Sequence, residues 1–129
     1  MPNLCFTSLS AIILAAIYFA QTFSVIGQRR SQGIVYGDGD NKTMMKRMRG
    51  HGNSAEQIPI FLILLALAEL NGANVWSLGS IAAIFTAGRL SHGYYFLDIG
   101  AHHRFRRIGM LLTLTGQLLA LILLAASLL

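Results

Sequence analysis

Two stretches of this chain, residues 4–26 and 108–129, run without a single charged side chain. Each exceeds the roughly 20 residues that a helix needs to cross a ~30 Å hydrocarbon core. Lipid offers no partner for a backbone N–H or C=O, so an apolar run of this length resolves into helix. The balance of the whole chain agrees: 54% of its 129 residues are hydrophobic and 12% charged, against about a quarter charged in soluble domains. Lipid is therefore its main solvent.

Two further apolar blocks are interrupted. Residues 53–70 contain Glu56 and Glu69, and residues 75–97 contain Arg89 and His92. Between them Asn71-Gly72-Ala73-Asn74 has the composition of a helix stop and tight turn, as in a helical hairpin. The fold class expected is all-α, an integral membrane four-helix bundle forming one domain, with helices over about 4–26, 44–70, 75–97 and 108–129. The first apolar run is not a cleaved signal: no Lys or Arg precedes it, and it outlasts the roughly 7–15 residues of a signal core. Cys5 is the only cysteine, which excludes an intrachain disulfide.

Of the ten Lys and Arg residues, all but Arg89 fall between spans. Arg29, Arg30, Lys42, Lys46, Arg47 and Arg49 lie between the first two, and Arg104, Arg106 and Arg107 between the last two. The positive-inside rule then places both basic loops in the cytoplasm, and the Asn71 turn and both termini outside. The first basic loop carries Gly37-Asp38-Gly39-Asp40-Asn41. It lacks the third acidic position, the following Gly and the distal Glu of a calcium loop, so it reads as a turn, and no metal is expected. Nucleic acid is not an expected partner either. Thr43 is placed to cap the second helix, and Pro59 within it removes a hydrogen bond to the carbonyl of Ala55, which predicts a kink or local opening.

The interruptions are spaced. Arg49, Asn53 and Glu56 stand at i, i+4 and i+7, one stripe of the second helix, with Gln57 beside them. On the third helix Arg89 and His92 are one turn apart, Phe96 continues the stripe and Tyr95 flanks it. An ionisable group in lipid costs at least about 2.5 kcal/mol, so Glu56 and Arg89 are expected to face protein or water and to pair with each other. One reading makes the stripe interhelical glue. The other makes it, with Arg29, Arg30 and the Arg104–Arg107 group, a cationic pocket for a ligand with several carboxylates and one amine. Arginine grips each carboxylate through two N–H groups, and Glu56 takes the ammonium. A proton or ion path through Glu56 and His92 needs a continuous polar track, and the first and last helices supply almost no ionisable groups.

Arg49-x-x-x-Asn53-x-x-Glu56, preceded by Arg29-Arg30 and followed by Ala87-Gly88-Arg89-Leu90-Ser91-His92, resembles the membrane-associated proteins in eicosanoid and glutathione metabolism, the MAPEG family. Val35-Tyr36-Gly37-Asp38-Gly39, Arg49-Gly50-His51-Gly52-Asn53, Ile58-Pro59-Ile60 and Glu69-Leu70-Asn71-Gly72-Ala73 look most like its small bacterial inner-membrane branch. The resemblance implies a left-handed four-helix bundle in the bacterial inner membrane, assembled as a homotrimer among membrane lipids. Glutathione as co-substrate would lie between neighbouring subunits near the cytoplasmic face. Arg49, Asn53 and Glu56 would bind the peptide, with Gln57, His92 and Tyr95 near it, and Arg30 or Arg29 would meet the thiol. Arg89 would support the site, and one of Arg104, Arg106 and Arg107 would add a cation.

Two positions depart from that pattern. Gln57 stands where the well-known glutathione-using members carry a tyrosine, and His92 where another aromatic hydroxyl is expected. The activity implied is a glutathione transferase or peroxidase acting on lipophilic small molecules. The alternative is a non-enzymatic member that binds lipid or a partner, because a fold alone does not carry an activity.

Overall fold

A computed structural model describes residues 4–100 and 102–129. Among them are four helices: α1 Cys5–Gln32, α2 Lys42–Leu70, α3 Val75–Phe96 and α4 His103–Ala126. The apolar runs are all helical, as expected, but two ends differ. α1 continues past the charge-free stretch through Arg29 and Arg30, and α4 starts early enough to carry Arg104, Arg106 and Arg107. Charge marks where lipid ends, not where helix ends, because Arg and Gln are good helix formers. α1 stops where Gly33 adopts φ 65° and the Ile34 N–H donates to Arg29 O at 3.0 Å. α2 is capped by Asn41 rather than Thr43, its Oδ1 accepting from the Met44 N–H at 2.9 Å. It remains one helix through Pro59.

α1, α2 and α4 are each long and apolar enough to cross a membrane. α3 has the length, 22 residues, or about 33 Å at 1.5 Å per residue. Its weaker hydropathy follows from its position, since nine of those residues are buried, whereas α1 buries only Ser10, Leu14 and Gln21. A helix that faces protein needs less lipid-compatible surface. The core joins Leu14 of α1, Phe61 and Leu65 of α2, Leu78 and Phe85 of α3 and Ala120 of α4. The Phe61 and Phe85 rings stack at 3.7 Å.

α3 packs most extensively on α4, through small residues. The buried positions of α4 are Gly109, Thr113, Gly116 and Ala120, one stripe at spacings of four, three and four. A Cβ on Gly109 would stand 2.5 Å from the His92 backbone nitrogen, and one on Gly88 2.7 Å from that of Thr113. Such close backbone approach is how membrane helices gain dispersion contact where no hydrophobic drive operates between them.

The end away from the basic residues is tied by Glu69. Its carboxylate accepts from the Phe6 and Thr7 N–H groups, both at 2.9 Å, and from Thr7 Oγ1 at 2.7 Å. Leu4 supplies no side-chain cap to α1, so the last turn of α2 caps it instead. Glu69→Ala is therefore expected to lower stability by about 1–3 kcal/mol, with Glu69→Gln recovering part of it; thermal melting in detergent measures both.

Candidate functional site

At the basic end α2, α3 and α4 enclose a groove of about 760 Å³, within the usual range for a small-molecule site. α2 contributes one continuous ridge, Lys42, Lys46, Arg49, Asn53 and Glu56, with Met45 and Gly52 alongside. The steps of four, three, four and three keep all five on one face. α3 supplies His92, Tyr95 and Phe96, and α4 supplies Arg106 and Met110. Lys42, Lys46, Arg49 and Arg106 stand against one carboxylate, Glu56, so the groove attracts anions and keeps one place for a cation.

Arg89 lies beneath this floor, fully buried. Its guanidinium donates to Asn53 Oδ1 at 2.9 Å and Ser54 Oγ at 2.5 Å, and one of its nitrogens lies 3.3 Å from His92 Nδ1. It therefore orients two residues that line the groove, Asn53 and His92. The expected Glu56–Arg89 ion pair does not form. Asn53 and Ser54 are the α2 residues that meet Arg89, and Glu56, most of a turn further along the helix, is exposed on the open side of the groove.

The wall beside Tyr95 is braced by charge. Lys46 Nζ is 2.5 Å from Asp98 Oδ1 and sits 4.1 Å from the centre of the Tyr95 ring. Arg47 Nε is 3.5 Å from the other Asp98 oxygen, and the Tyr95 hydroxyl is 3.2 Å from His103 Nδ1. Gly50 lets Phe96 seat against α2, since a Cβ there would lie 2.5 Å from Phe96 Cβ.

Of the residues singled out in the sequence, Arg49, Asn53, Glu56, His92, Tyr95 and Arg106 come together in the groove, with Arg89 behind them. Arg106 is the member of its arginine group that faces it; Arg107 lies on a second groove along α4, and Arg104 lines neither. Gln57 is half-buried outside the lining. Arg29 is engaged elsewhere, donating to Val35 O at 3.3 Å and Gly37 O at 3.2 Å, and Arg30 is exposed away from the groove. Sequence reading passed over Lys42 and Lys46 as groove residues, although they extend the Arg49 stripe by one and two turns.

The sequence matches the model of the MAPEG family over residues 7–126. It is similar to inner membrane protein YecN of Escherichia coli strain K12, 35% identical over 116 residues that cover 88% of this chain and 85% of that protein. The same figures hold for inner membrane protein YecN of Escherichia coli O6:H1 strain CFT073.

Proposed function

This chain belongs to the MAPEG family, and from that premise we propose that its cationic groove binds glutathione and presents the thiol to lipophilic electrophiles. The convergence of Arg49, Asn53 and Glu56 from one helix face with Arg106 from α4 carries the reading. Glutathione has two carboxylates and one ammonium, and the groove, besides Lys46 held by Asp98, offers three cations and one carboxylate. Arg49 and Arg106 are the forks suited to carboxylates, Glu56 accepts from the ammonium, and Asn53 bonds the peptide.

A free thiol has a pKa near about 8.5, and an arginine beside it in a poorly hydrated site favours the nucleophilic thiolate. Within one chain Arg30 lies outside the groove, so this role falls to Arg30 of a neighbouring copy in a homotrimer. Arg29, beside it in the last turn of α1, holds the loop that follows through Val35 O and Gly37 O. Attack on an electrophilic carbon forms the C–S bond, and the displaced electron pair takes up a proton. With a hydroperoxide the sulfur takes the distal oxygen and leaves the alcohol, and a second glutathione converts the sulfenic acid to disulfide and water.

The bilayer sets the orientation. α1, α2 and α4 are able to cross; α2 and α4 both begin at the basic end, which supports a return through α3 and four passes of a bacterial inner membrane. The basic end lies in the cytoplasm and both termini in the periplasm.

Titrating the detergent-solubilised protein with glutathione in a calorimeter is expected to give saturable heat in the millimolar range or tighter, lost in Arg49→Ala. Absence of heat sinks the proposal. Saturable binding without conjugation of a chromogenic electrophile would instead favour a binding protein, a reading supported by Gln57 and His92 standing where aromatic hydroxyls are expected.

A further inference from the structure

Among the described residues, the arginines of α4 have no acidic partner on their own helix or across from it. Elsewhere at the basic end Lys46 and Arg47 share Asp98, and Arg29 is held by loop carbonyls. Among the described residues no carboxylate pairs with Arg104, Arg106 or Arg107, and α4 contains no Asp or Glu at all. They also crowd the first turns of a helix, where the macrodipole disfavours positive charge. Such a local conflict is retained where something outside the chain relieves it.

A second groove of about 630 Å³ starts among these cations and runs down α4. His103, Arg106 and Arg107 form its head, and Met110, Leu111 and Leu114 its apolar floor. Leu111 and Leu114 are 66% and 49% exposed, on the surface of a helix able to cross the membrane. From Met110 to Leu114 the apolar floor rises about 6 Å, the upper part of one leaflet of a ~30 Å core. Cations at the interface with an exposed apolar channel beneath them match one molecular shape: an acidic headgroup on an acyl chain.

We propose that this α4 groove is a binding site for an anionic glycerophospholipid of the cytoplasmic leaflet. Arg106 and Arg107 hold the phosphate, and an acyl chain lies along Met110, Leu111 and Leu114. The site is independent of the thiol reading, although Arg106 and Met110 line both grooves, so a bound phosphate also removes one positive charge from the glutathione groove.

Native mass spectrometry of the full chain, equilibrated with equal amounts of phosphatidylglycerol and phosphatidylcholine of matched chains, tests it without glutathione. Phosphatidylglycerol is expected to be retained about tenfold over phosphatidylcholine. Arg106→Gln with Arg107→Gln should bring the ratio to near parity, whereas the double lysine variant, which keeps both charges, and Arg104→Gln should preserve most of it. Leu111→Ser with Leu114→Ser should lower retention of both lipids. Equal retention by the unmodified protein overturns the proposal, as does a preference that survives the double glutamine variant. So does displacement of phosphatidylglycerol by millimolar inorganic phosphate, which would mark a simple anion site.

Discussion

Arg89→Met is expected to leave the bundle folded while weakening glutathione binding by about tenfold. Arg89 is a fully buried guanidinium whose partners, Asn53, Ser54 and His92, are not carboxylates. Its desolvation cost is therefore offset only by dipoles, and buried charges of this kind are often replaced by apolar residues of similar volume with little loss of stability. Methionine follows the same unbranched path. The hydroxyl of Ser54 then turns to its own helix, toward the carbonyl one turn earlier, and Asn53, half-exposed to the groove, keeps water. What disappears is the restraint on Asn53 and His92. One well-aligned hydrogen bond to a ligand is worth about 1–1.5 kcal/mol, which is the tenfold expected. Melting temperature and calorimetric titration separate the two effects. Arg89→Lys should behave like Arg89→Met in binding, because an ammonium lacks the fork that reaches Asn53 and Ser54 together. Collapse of the bundle in Arg89→Met would instead assign Arg89 to holding the helices together.

The four helices were legible because a bilayer admits only one cheap solution for an apolar run of twenty residues. Their ends were not, because the limits were read from charge, and Arg29, Arg30 and Arg104 to Arg107 continue the helices into the interface. The Arg49–Asn53–Glu56 stripe was legible from spacing alone. Its partner on α3 was misjudged: matching opposite charges selected Glu56 for Arg89, whereas Asn53 and Ser54 meet Arg89 and Glu56 is left exposed to the groove. Glu69 weakened its span by hydropathy and entered the sequence reading only as the first residue of the Glu69–Ala73 motif, with no structural role. Its role is at the start of α1, sixty-two residues from Thr7 along the chain, a relation that no local pattern encodes.

The stripe on α4 is the other feature hydropathy passes over, since Gly, Thr and Ala count there as filler. Gly109→Ala is nevertheless expected to be among the most damaging single changes in the chain. In an open helical position a glycine replaced by alanine gains up to about 1 kcal/mol of helix propensity. Gly27 of α1 is such a position, with nothing within 4 Å of an added Cβ, and Gly27→Ala should leave the melting temperature unchanged or raised. At Gly109 the same methyl meets the His92 nitrogen at 2.5 Å, Gly88 O at 2.8 Å and His92 Cα at 2.9 Å. All three are backbone atoms, so no side-chain rotation relieves them and the helices must separate. That costs about 1–3 kcal/mol or more, beyond the propensity gain, and it also opens the Gly116–Phe85 and Gly88–Thr113 approaches further along. Gly109→Leu should leave no folded bundle. His92 and Arg106 face the groove from α3 and α4, on either side of this contact, so Gly109→Ala protein that still folds should also bind glutathione more weakly. If Gly109→Ala and Gly27→Ala melt alike, the close packing of α3 on α4 is not what sets the groove.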